Sequence, residues 1–143
     1  MNIDLFEIEL KSALVDELSA RHSQLAVYEM VSFDLGVHPW HGLIEPSFYT
    51  TLDTCAPEEI AAWKLYNFAF KNEPWPAVSH LKKWMQNYYD LNPSSHAENI
   101  FKSAAKVASS REVMAQLKQL KLVNGFFTSV YSPDDSTFKN YCA

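Results

Sequence analysis

Three glycines, Gly36, Gly42 and Gly125, in 143 residues are too few and too scattered for a phosphate-cradling loop or a dinucleotide fingerprint, which excludes the common nucleotide enzymes. The two cysteines, Cys55 and Cys142, stand far apart and in no Cys-x-x-Cys spacing, so neither a disulfide framework nor a zinc or redox pair is indicated. No apolar run approaches the ~20 residues that cross a bilayer. The first ten residues, Met1 to Leu10, carry acids where a secretory signal needs a basic region and an unbroken apolar run. A cytoplasmic protein with reduced thiols and no membrane contact is the expectation. Also absent are a Gly-x-Ser-x-Gly elbow, an internal repeat and any low-complexity segment.

A further absence is local. Between His22 and Trp63 there is no Lys or Arg, while six acids fall there: Glu29, Asp34, Glu45, Asp53, Glu58 and Glu59. An imbalance of this size favours a cationic partner over an anionic one. Residues 1–63 hold two basic and eleven acidic residues, and residues 64–121 hold nine basic and four acidic. Such halves can attract each other within one fold, meet across a symmetric homo-oligomer interface, or polarise the surface.

What is present is ordinary globular material: 48% hydrophobic, 20% charged and a high 14% aromatic residues, enough to bury one core in a single domain over 1–143. From Asn2 to Arg21, Ile3, Phe6, Leu10, Leu14 and Leu18 recur at helical spacing. From Gln24 the period becomes two, with Leu25, Val27, Val31 and Phe33 opposite Ala26, Tyr28 and Met30, which predicts an interior strand covered on both faces. Ile44, Phe48 and Leu52 alternate with polar residues in a second strand, and Pro46 places it at an edge or at a bulge. Thr54 to Phe70 reads as a helix with Pro57 in its first turn, and Asn72 to Pro76 as a break. A helix follows with Val78, Leu81, Met85 and Tyr88 on its stripe. Capping boxes at Ser95/Glu98 and Ser109/Glu112 predict two helix starts, the first helix carrying Ile100, Phe101, Ala104 and Val107 and the second Val113, Met114, Leu117 and Leu120. Asn124-Gly125 reads as the helix stop and Phe126 to Tyr131 as a third strand. The fold class is α+β: a small antiparallel sheet of about three strands packed by four to five helices, N-terminal helix first.

The candidate chemical groups gather in the connection Asp34-Leu-Gly-Val-His-Pro-Trp-His-Gly42, read as a loop. Asp34, His38 and His41 are weak candidates for metal ligation, because His-x-x-His off a helix lacks fixed ring directions. Trp40 is an anchor, either for the loop on its own core or for a partner. Glu29, inside an apolar strand face, either lies where the sheet emerges from its helices or is buried with a raised pKa. His80 and Trp84 form a packing pair on one helix face. The lysines of the second half, Lys71, Lys82, Lys83, Lys102, Lys106, Lys118 and Lys121, are spaced as solvated helix faces, and the chain is net negative, so nucleic acid is not an expected partner.

These features favour a non-catalytic protein-binding domain of inhibitor or immunity type, as found in bacteria. Its acidic, aromatic surface comprises Tyr28, Glu29, Asp34, His38, Trp40, His41, Glu45 and Tyr49 and faces a basic protein, with no cofactor. The alternatives are a small metal-dependent hydrolase on Asp34, His38 and His41 and a homo-oligomeric structural protein.

Overall fold

Asn2 opens the first helix by accepting a hydrogen bond from the Leu5 amide at 2.9 Å, and Asp4 complements the helix dipole in the first turn. The helix, α1 (Ile3–Ala20), buries Phe6, Leu10, Ala13, Leu14 and Leu18, the stripe that the spacing predicts. The computed structural model describes residues 1–70 and 73–143. Lys71 and the first residue of the predicted break, Asn72, lie outside them.

After α1 come a single turn, α2 (His22–Leu25), and then β1 (Glu29–His38) and β2 (Leu43–Thr50). Farther along are α3 (Ser79–Leu91), α4 (Pro93–Ala108), α5 (Arg111–Leu117) and β3 (Lys121–Ser129). The α+β class with the N-terminal helix first is as the sequence indicates, with five α-helices and three strands among the described residues, the strands in the order β2-β1-β3. The sheet is mixed and not purely antiparallel: β2 runs antiparallel to β1, and β3 runs parallel to it. A parallel return needs a long crossover, and the chain from β2 to β3, with α3, α4 and α5, supplies it.

Several boundaries differ from the sequence expectation. The first strand starts at Glu29, because residues 22–25 complete a helical turn, and it runs through the predicted loop as far as His38. Phe33, Leu35 and Val37 are fully buried toward the helices, so the period of two continues across Asp34, Gly36 and His38. The turn proper is a short 3₁₀ segment, Pro39–His41, closed by Gly42 at φ +60°. A Cβ at Gly42 would also approach the Lys82 carbonyl at 3.2 Å, so the position favours glycine twice over.

The predicted helix from Thr54 to Phe70 is absent. Some of its backbone donors close short local turns and others bond to β2: the Phe68 amide to the Pro46 carbonyl, and the Asn67 amide to the Ser47 hydroxyl at 2.8 Å. The Phe48 amide in turn donates to the Leu65 carbonyl. Asp53 accepts from the Thr50 and Lys64 amides at 2.7 Å each, and Asn67 has φ +44°. The segment thus lies along the outer edge of β2, the edge position that Pro46 foretells, and covers a strand edge that would otherwise be open. Only Ile60–Ala62 forms a 3₁₀ turn.

The two capping boxes are displaced. Pro93 sits in the first turn of α4, so Ser95 is already helical. The cap of α5 is Ser110, whose hydroxyl accepts from the Val113 amide at 3.3 Å, in place of Ser109. Asn124-Gly125 does not stop a helix. It lies within β3, where residues 123–126 bulge between the pairs Met30–Leu122 and Ser32–Phe127, with Gly125 at φ +86°.

The helices cover one face of the sheet. Met30, Phe33, Leu35, Val37, Ile44 and Phe48 join α1, α3, α4 and α5 in one buried cluster, with α4 against β1. No helix among the described residues is long and apolar enough to cross a membrane.

Candidate functional site

The other face of the sheet is polar. Ser32, Asp34, Gly36 and His38 alternate with the core residues of β1. Register pairs Asp34 with Ser47 and Gly36 with Glu45 on β2, and Ser129 with Asp34 on β3. Above this floor the 3₁₀ turn at Ile60–Ala62 and the tail after β3 form two walls. Between them is a cleft of about 480 Å³ lined by Asp34, Gly36, His38, Glu45, Glu58, Glu59, Tyr66, Tyr131 and Phe138, among others. A smaller space of about 230 Å³ adjoins it, sharing Glu58, Ile60, Tyr131 and Phe138 and reaching Ser32, Trp63 and Phe127.

Asp34 is the deepest acid, 3% exposed. The Ser129 hydroxyl donates to its Oδ1 at 2.7 Å. Burial raises its pKa from 3.8 to about 7; the Ser129 hydrogen bond opposes that shift, and the nearby Glu45 charge adds to it. Gly36 leaves room beside it, since an added Cβ would lie 3.5 Å from Asp34 Oδ2 and 3.2 Å from the Glu45 carbonyl.

Glu45 holds the second cluster. The Tyr66 hydroxyl donates to its Oε2 at 2.5 Å, and His38 Nε2 is 3.4 Å from its Oε1. Burial, with the Glu45 hydrogen bond and charge, pushes the Tyr66 phenol up to about 12, so it remains a donor. Burial lowers the His38 pKa; Glu45 and Asp134 pull it back up, and His41 depresses it further. Among the described residues, no Lys or Arg lines either space. The only ion pair of Glu45 among the described residues is with His38, and Glu58 and Glu59 form none.

Of the residues singled out by sequence, the structure brings Asp34, His38 and Glu45 together in this cleft. Tyr49 shares the polar face but bonds the Cys55 carbonyl at 2.7 Å and packs on Trp63, outside the lining. Tyr28 and Glu29 lie outside it too, at the far end of β1, with Glu29 exposed. Trp40 is half-buried, edge-on to Tyr89 of α3, and its carbonyl accepts from the Gln86 amide nitrogen. It anchors its own turn. His41 is exposed and not part of the cleft. Asp34, His38 and His41 therefore do not converge, and among the described residues no group of three His, Cys, Asp or Glu side chains is placed to hold a metal ion.

Sequence reasoning missed Ser129, Tyr131, Phe138 and the role of Tyr66. Only long-range pairing brings these to the cleft. Glu58 and Glu59 are visible in the sequence as charge, but the pattern places them on a helix that does not form. Compared with known proteins, the chain matches no protein-family model, no curated protein and no solved structure.

Proposed function

We propose that this domain is a non-catalytic binding module for a basic protein, working in the cytoplasm in the manner of an inhibitor or immunity protein, with the cleft over the polar sheet face as its contact surface. The observation that carries this reading is a cleft that gathers Asp34, Glu45, Glu58 and Glu59 with no Lys or Arg in its lining among the described residues. Carboxylates left uncompensated in a concave, partly apolar site focus potential toward a cation and accelerate its encounter. The two free thiols, Cys55 and Cys142, suit a reducing compartment.

Reversing charge at Asp34 is a poor test, because a lysine there would be buried and would unfold the sheet. Glu58 and Glu59 are exposed, and Glu58→Lys with Glu59→Lys should change stability by no more than ~0.5 kcal/mol. The experiment is capture from host lysate at low and moderate salt by the native chain and by this double variant, with mass spectrometry of the retained protein and association rates for whatever is identified. A basic protein retained by the native chain, and associating at least tenfold more slowly with the variant at low salt, is the expected result. Equal association with both would overturn the reading.

A further inference from the structure

Within the cleft, the acceptors that remain open are confined to one end. Ser129 occupies Oδ1 of Asp34, and among the described residues Oδ2 receives no hydrogen bond, although the side chain is almost wholly buried and borders the cleft. Across the Gly36 floor, each Glu45 oxygen has one neighbour, Tyr66 or His38, and keeps a lone pair for another donor. The rings of Tyr66, Tyr131 and Phe138 stand around these acceptors, and Ile60, Ala61 and Ala62 give an apolar wall.

We propose that the Asp34–Glu45 end of the cleft is a socket for a guanidinium group, the side chain of one arginine presented by the basic partner, an inference that rests on the cleft being the binding surface. Two carboxylates on neighbouring strands offer acceptors in more than one direction. A planar group with five fixed donors can use them, whereas a lysine ammonium is a compact charge that loses more hydration on entry. Flat aromatic walls stack on a guanidinium plane, and the apolar wall at residues 60–62 suits the methylene stem.

Uptake is coupled to protonation. The groups that face Asp34 are Glu45 from β2, His38 on its own strand, Ser129 from β3, Tyr66 and Glu58 from the connection, and Tyr131 and Cys142 from the tail. The free Asp34 carboxyl titrates at about 7, and a cation selects its ionised form. Binding is therefore strongest above pH 7, releases a proton below it, and weakens as pH falls. Protonation of His38 at low pH acts in the same direction.

The test is titration calorimetry of the full chain with acetylated, amidated arginine, lysine and citrulline, repeated on Asp34→Asn and Gly36→Ala. Blocked arginine should bind one-to-one at pH 8, at least tenfold more tightly than lysine, and citrulline, the neutral isostere, should not bind. Arginine affinity should fall about tenfold between pH 8 and pH 6, the ratio of ionised Asp34 at the two values. Asp34→Asn should abolish binding while the circular dichroism spectrum is retained. Gly36→Ala keeps both carboxylates but raises the floor, and should weaken binding several-fold even if the first variant does not fold. Equal binding of arginine and citrulline, or affinity independent of pH, would overturn the socket. A captured partner whose binding excess blocked arginine does not reduce would leave the acidic surface standing and remove the socket. Asp34-dependent arginine binding without any basic protein partner would overturn the assignment to a protein and leave a site for a small guanidinium compound.

Discussion

The two faces of β1 are built from the same ten residues by opposite means. Toward the helices, Phe33, Leu35 and Val37 are fully buried against apolar neighbours, and their stabilisation scales with area and needs no particular partner. Toward the cleft, Asp34, Gly36 and His38 each depend on one or two specific groups: Ser129, the Glu45 backbone and the Glu45 carboxylate. The first face holds the domain together. The second carries buried ionisable groups that weaken it, a pattern expected where a surface is kept for binding.

The sharpest way to break this comparison is to remove material from the helix-covered face. Phe33 is fully buried, and its ring centroid lies 5.0 Å from that of Phe48. Phe33→Ala should cost ~3–5 kcal/mol, read as a lower urea midpoint at unchanged slope. A loss below ~1 kcal/mol would mean that this face is loosely packed and that the contrast is false.

The opposite substitution, on the same strand one residue later, should stabilise. The folded-state pKa of Asp34, about 7, lies above its ordinary value of 3.8, so the folded protein holds this proton more tightly than the unfolded chain. Its favourable contribution is complete below pH 3.8 and is lost as pH rises through about 7. From this group alone, stability should fall by on the order of 3 kcal/mol between pH 4 and pH 8. Asp34→Asn keeps the shape and an acceptor for Ser129 and removes that slope. The variant should match the native chain at pH 4 and exceed it by a few kcal/mol at pH 8, measured by urea denaturation at both. A parallel pH profile in the two proteins would show that Asp34 is solvated and ionised in the fold.

The same contrast explains what the sequence revealed. α1, α3 and the apolar stripes of α4 and α5 are local patterns, and so is the edge position implied by Pro46. Asp34, Glu45 and the unbroken lack of base around them were also visible, which is why three of the cleft residues could be named. The region from Thr54 to Phe70 misled because Trp63, Leu65, Tyr66 and Phe70 look like a helical stripe, whereas the backbone between them, at Lys64, Leu65, Asn67 and Phe68, is bonded to Asp53 and to the edge of β2. Reading residues 34–42 as a loop passes over the alternation of Phe33, Leu35 and Val37, which carries β1 as far as His38. Ser129 and Tyr131 could not be foreseen, since a parallel pairing of β3 with β1 leaves no local trace.

The smallest expected effect tests the single bond that joins β3 to the polar face. Ser129→Ala removes the hydroxyl that donates to Asp34 Oδ1 at 2.7 Å without enlarging the cleft by more than one oxygen atom. Ser129 lowers the Asp34 pKa, so its loss should push that carboxyl above about 7 and shift the Asp34-linked fall in stability to higher pH. Any cost should be greater at pH 8, where the bond serves a charge, than at pH 4, where it serves a neutral acid: ~1–2 kcal/mol against ~1 or less. Carbon-detected NMR titration of the Asp34 carboxyl reads the midpoint directly. A higher midpoint in the variant would place the buried acid under the control of β3. An unchanged one would mean that burial and Glu45 alone set it, and the two strands flanking β1 would then contribute unequally to the cleft.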